Sequence, residues 1–138
     1  MRDTFKGSCL CGAVAYEVKA PVTSFQYCHC SRCRKVSGTA HASNILVKAE
    51  QLSWTQGEQQ LARFELPEAK AFASCFCKVC GSSLPWVTKN GRWVVVPAGT
   101  LDEDPGITPQ RSIFWGSRSP WYHAVNELDC FETVPPRQ

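Results

Sequence analysis

Cys9-Leu10-Cys11-Gly12-Ala13-Val14-Ala15-Tyr16-Glu17-Val18 opens on two thiols, bends at a glycine and runs on as a strand. Val14, Tyr16 and Val18 alternate with Ala13, Ala15 and Glu17, the period of a half-buried strand. Farther along, Cys77-Lys78-Val79-Cys80-Gly81 repeats the theme, with two thiols in one tight turn followed by glycine. Glycine takes positive φ there, so backbone N–H groups point at the sulfurs and stabilise their charge. The two pairs are more than sixty residues apart. A metal clip stabilises most when it closes a long loop. Cys9, Cys11, Cys77 and Cys80 are therefore expected to form one closed, structural Cys₄ zinc site.

A third cluster, Cys28-His29-Cys30-Ser31-Arg32-Cys33, lies between them and is not followed by glycine. These three groups take seven of the nine cysteines. Seven thiolates exceed one tetrahedral site and fall one short of two complete ones, so the expected cofactor is two zinc ions per chain. The second site, Cys28, Cys30 and Cys33, would leave one position open for water or substrate. A zinc ion with three thiolates carries a formal charge of −1, which suits keeping a bound substrate sulfur ionised. These three cysteines are the catalytic candidates. Arg32, Arg34 and Lys35 stand beside them and are expected to hold a substrate carboxylate. His29, extended between two ligands, is expected to point away from their shared side and to pack. His41 or His123 as a fourth ligand is the rival reading, which makes both zincs structural. Cys75 and Cys130 are expected to be small buried side chains, and Trp54, Trp86, Trp93, Trp115 and Trp121 to lie in the core.

At 138 residues the chain is expected to be a single domain spanning 1–138. The formal net charge is +3. Seven thiolates on two Zn²⁺ contribute 4 − 7 = −3, which brings the loaded protein near neutrality and argues against nucleic acid as a partner. The first residues carry no apolar run, and no stretch approaches the roughly 18 residues of a membrane span. The expected location is the cytoplasm, where clustered thiols stay reduced and bind metal rather than form disulfides.

Short segments punctuated by Gly, Pro and Asn predict a mainly β fold with very little helix. Strands are expected at 24–28, 40–47, 52–55, 60–65, 70–76, 83–88 and 92–97, the last two joined through Asn90-Gly91 with Trp86 and Trp93 on the core side. One helical turn is expected at 31–36, with Ser31 as N-cap and Gly38 ending it.

Gly7-Ser8-Cys9-Leu10-Cys11-Gly12-Ala13-Val14, Cys28-His29-Cys30-Ser31-Arg32-Cys33-Arg34-Lys35, Phe76-Cys77-Lys78-Val79-Cys80-Gly81-Ser82, Gly99-Thr100-Leu101-Asp102 and Pro120-Trp121 occur in this order. Together they resemble the family of glutathione-dependent formaldehyde-activating enzymes, which includes centromere protein V, over about residues 4 to 131. The resemblance implies an Mss4-like fold of small antiparallel sheets around a structural zinc held by Cys9, Cys11, Cys77 and Cys80. It implies a second zinc on Cys28, Cys30 and Cys33 that serves chemistry. The implied activity is that of a carbon–sulfur lyase or synthase, joining formaldehyde to glutathione as S-hydroxymethylglutathione or reversing that step. The implied partner is a small-molecule thiol such as glutathione. Family members often place His before the apolar strand that leads to Pro-Trp, whereas this chain has Ser112 before Ile113-Phe114-Trp115.

Two other functions compete. One is a non-enzymatic zinc module that contacts a protein or nucleic acid through the Arg/Lys-rich turn; the basic residues form no extended stripe with interleaved aromatics. The other is redox or metal buffering through Cys30-x-x-Cys33, which no βαβ pattern supports.

Overall fold

A computed structural model describes residues 3–137. The alternating stretch after Cys11 becomes β2 (Ala15–Lys19), which pairs antiparallel with β1 (Thr4–Ser8). On its other side β2 pairs with β5 (Leu52–Gln56), completing a three-stranded sheet. Val14, Tyr16 and Val18 are all buried, as their spacing predicts. Tyr16 lies opposite Gly7, and a Cβ on Gly7 would sit 2.2 Å from its ring. That close approach is why the position two residues before the first cysteine needs glycine. The Tyr16 hydroxyl reaches Thr100 Oγ1 at 2.6 Å.

The second sheet holds β3 (Phe25–Cys28), β4 (Ala42–Lys48), β9 (Trp86–Val87), β10 (Trp93–Pro97) and β11 (Arg111–Ile113), in the order β11-β3-β4-β10-β9. The third is β6 (Leu61–Glu65), β7 (Ala73–Cys77) and β8 (Ser83–Leu84). Ile45 and Val47 of β4, Val94 and Val96 of β10 and Leu84 of β8 meet Val14, Tyr16 and Val18 in one core, together with Cys9 and Cys77. The Cys9/Cys11 and Cys77/Cys80 pairs therefore sit at the edge of the core, where the sheets converge.

Several expectations need correction. The segment 83–88 is two strands, not one. Pro85 has no N–H to give a ladder, and the chain changes partner there, from β7 before it to β10 after it. The strand expected from residue 70 starts at Ala73, because residues 66–72 close into a turn. In that turn Ala69 N–H donates to Leu66 C=O at 3.1 Å, and Lys89 Nζ donates to the carbonyls of Leu66 and Ala69. β1 and β11 lie outside the strands expected from the residue pattern, although the resemblance implies an apolar strand near β11; β11 pairs parallel with β3, so the sheets are not wholly antiparallel. The single α-helix among the described residues, α1 (Ser31–Ser37), is capped by Cys30 rather than Ser31. The Cys30 sulfur accepts the Cys33 N–H at 3.3 Å, the role an N-cap oxygen usually has. Gly38 ends the helix at φ 69°, as expected. Trp93, Trp115 and Trp121 are exposed instead of core; Trp93 occupies the hairpin end of β10. Cys130 is exposed as well, in a tail whose described side chains face solvent from residue 126 onward.

Candidate metal centres

Cys9 follows β1 and Cys77 ends β7, and each opens a turn closed by a left-handed glycine, Gly12 at φ 81° and Gly81 at φ 77°. The turns are built alike. Gly12 N–H donates to Cys9 C=O at 3.1 Å and Gly81 N–H to Cys77 C=O at 2.8 Å. One backbone N–H is aimed at the first sulfur of each, Val14 to Cys9 Sγ and Val79 to Cys77 Sγ, both at 3.3 Å. Ser82 joins the two turns: its Oγ accepts Leu10 N–H at 3.0 Å and lies 3.2 Å from Cys80 Sγ. That contact holds the Cys80 thiol down at about 5.

The ligand sulfurs of Cys9, Cys11, Cys77 and Cys80 all lie within 4.8 Å of one another, with Cys9 to Cys11 at 3.6 Å and Cys11 to Cys77 at 3.9 Å. A tetrahedron with metal–sulfur bonds of about 2.3 Å has sulfur–sulfur edges of about 3.8 Å. The donor set and its spacing fit a four-thiolate metal ion.

The middle cluster is assembled from a strand end and a helix start. Cys28 is the last residue of β3, Cys30 is the helix cap and Cys33 lies in the first turn of α1. Their sulfurs also fall within 4.8 Å of one another, and no histidine or carboxylate joins that group among the described residues. Donation from Cys33 lowers the Cys28 thiol to about 6, while the same contact and burial push Cys33 far up. Three sulfurs so close cannot all ionise without a cation among them, and a metal ion replaces the shared protons. All nine cysteines are free thiols. Both groups are thus placed to hold metal ions.

No histidine joins either sulfur group among the described residues. His29 is fully buried, with its ring 5.2 Å from Trp115 and 5.0 Å from both Tyr122 and His41. Its backbone N–H donates to Ile113 C=O at 3.0 Å, extending the β3–β11 pairing past the strand ends. His41 stacks on Tyr27 at 4.0 Å, and His123 pairs with Glu127 at 3.2 Å.

An open cleft of about 490 Å³ lies over the three sulfurs. Arg32, Glu68 and Lys70 supply its charges, while Phe72, Trp86 and Phe114 supply aromatic walls. The other two basic candidates are placed differently. Arg34 Nε donates to His29 C=O at 3.4 Å, and Lys35 is exposed and lines neither this cleft nor its neighbour. Phe114 is the one non-glycine residue with positive φ, 54°, among the described residues. A bulky side chain in that region costs roughly 1–3 kcal/mol. It is held there by the parallel ladder just before it and by Ser117 N–H donating to its carbonyl at 2.9 Å. Asn44 Nδ2 lies 3.9 Å from Cys33 Sγ and also faces the cleft.

Asn44, Glu68, Lys70 and Phe114 escaped the sequence reading because they come from three separate segments, and only the packing of β4, the 66–72 turn and the residue after β11 brings them together. The one local signal was the position of Phe114 two residues after Ser112, where the chain departs from the resemblance.

The family of glutathione-dependent formaldehyde-activating enzymes matches residues 4–117. A Halomonas elongata protein, provisionally named a glutathione-dependent formaldehyde-activating enzyme, is 35% identical over 142 aligned positions, covering 94% of this chain and 88% of that protein. A crystal structure of a Rhodobacter sphaeroides protein shares the fold, with a TM-score of 0.61 at 24% identity over 78% of this chain and 97% of that one. Matched over most of its length and 35% identical to a relative that it covers to 88%, this chain belongs to the glutathione-dependent formaldehyde-activating enzyme family.

Proposed function

We propose that this protein is a zinc-dependent carbon–sulfur lyase or synthase that makes and breaks the adduct of a small thiol such as glutathione with an aldehyde. The observation that carries the reading is the three-sulfur group of Cys28, Cys30 and Cys33 at a charged cleft, with no fourth protein ligand among the described residues. Zinc bound by these cysteines would keep a substrate sulfur ionised at neutral pH.

The remaining work falls to the chain. Glutathione carries two carboxylates and one ammonium group. Arg32 and Lys70 supply two cations for the carboxylates, and Glu68 supplies one anion for the ammonium. Phe72, Trp86 and Phe114 shield the reacting atoms from bulk water. In the forward direction a sulfur–carbon bond forms, and the carbonyl π pair moves to oxygen, which takes up the proton given up by the thiol. Asn44 is a neutral donor beside Cys33, suited to hydrogen-bond the oxygen as charge develops on it. The reverse reaction breaks the same bond and returns the aldehyde. Sulfur bound and oriented in this way accelerates addition by bringing the reactants together.

The test is adduct formation from glutathione and formaldehyde or larger aldehydes, followed by NMR with the zinc-loaded protein and corrected for the spontaneous reaction. Acceleration that is lost in Cys30→Ser is expected. No acceleration with any aldehyde would refute the reading.

A further inference from the structure

Behind the three-sulfur site lies a second cavity of about 210 Å³, more enclosed than the first and absent from the mechanism so far. The two spaces share Cys33, Asn44, Phe72 and Trp86 as common walls. Of the three cluster cysteines, Cys33 borders both the charged cleft and this cavity, while Cys28 and Cys30 border the cleft. The cavity has a different character. Val36, Leu84 and Pro97 add apolar surface to Phe72 and Trp86, and among the described residues no lysine, arginine, aspartate or glutamate lines it. Polar contact comes from the Asn44 amide, the His41 ring and the hydroxyls of Ser37, Thr39, Ser43, Ser74 and Ser83, of which the first two hydroxyls are hydrogen-bonded to each other at 2.8 Å. Mostly apolar walls with a few hydroxyls, one amide and one imidazole describe a pocket for an organic group that is largely apolar.

Its size decides what that group is. A hydroxymethyl substituent has two heavy atoms and would leave nearly all of this space unused. An apolar cavity of about 150 Å³ already accepts benzene. Resting on the proposed thiol-adduct reading, we infer that the favoured substrate is a thiohemiacetal whose carbon bears an apolar chain or ring of about three to six carbons. The thiol's peptide part occupies the charged cleft and the aldehyde-derived part the cavity between Phe72, Leu84 and Trp86. Formaldehyde is then the smallest carbon partner the site accepts and not the one it fits.

Inert thioethers test this without turnover. S-methyl-, S-propyl- and S-butylglutathione are titrated calorimetrically into the zinc-loaded protein. Each methylene moved from water into the cavity is expected to tighten binding about fourfold. S-butylglutathione should therefore bind about 60-fold more tightly than S-methylglutathione. A gain below tenfold overturns the assignment of the cavity and leaves the thiol-adduct reading standing. If no S-alkylglutathione binds at millimolar concentration, both fall together. Ser74→Leu, which fills the cavity from β7, is expected to erase the chain-length gain; Ser43→Leu does the same from β4 if the first variant does not fold. A filled variant that keeps the full gain also overturns the proposal.

Discussion

Breaking the four-sulfur group should destabilise the protein about twice as much as breaking the three-sulfur group, because the two close loops of very different length. Cys11 and Cys77 are 66 residues apart. In the chain-entropy picture, a link closing about 66 residues is worth about 4 kcal/mol at 25 °C. Cys28 and Cys33 lie within one short segment, and the same relation gives about 2 kcal/mol for a link closing about five residues. That segment is also held without metal, by the parallel β3–β11 ladder and by the Cys30 cap of α1. The comparison is Cys9→Ser/Cys77→Ser, which takes one sulfur from each turn, against Cys28→Ser/Cys30→Ser. At about 2.1 cal/mol/K of unfolding entropy per residue, 138 residues give about 3.5 °C per kcal/mol. Thermal unfolding in zinc-containing buffer should show a Tm lowered by about 15 °C in the first variant and about 7 °C or less in the second. Metal analysis should show one zinc lost from each. Equal Tm losses, or a larger loss in the second variant, would refute the assignment of structural and chemical roles to the two groups.

Two further outcomes follow from single side chains. Asn44→Ala should lower kcat for adduct formation about 100-fold with little change in KM, the usual cost of losing one oxyanion donor; an unchanged kcat would remove Asn44 from the reaction. Burial raises the Tyr16 hydroxyl to about 12. Above pH 10 the unfolded chain loses this proton while the folded one retains it, so stability falls by about 1.4 kcal/mol per pH unit until about pH 12. Denaturant unfolding between pH 9 and 12 should show that slope in the wild type and not in Tyr16→Phe.

Much of this was written in local sequence. Val14, Tyr16 and Val18 share a face because a strand has a period of two, whatever it packs against. The glycines after Cys11 and Cys80 take positive φ because the turn needs it, so both knuckles were readable from a few residues each. The helical turn at the middle cluster was readable to within a residue, although sulfur rather than the serine hydroxyl caps it.

What escaped depends on distant segments. The partner change at Pro85, the parallel pairing of β11 with β3 and the turn braced by Lys89 are each set by a neighbour far along the chain. For that reason the walls of the site went unread while its sulfurs did not. Thiol spacing alone determined which cysteines group together, since ligands from one turn have only a few ways to meet. The surroundings of those sulfurs were decided by tertiary packing: Asn44 from β4, Lys70 from the braced turn and Phe114 from just after β11 carry no mark in their own segments of the cleft they share.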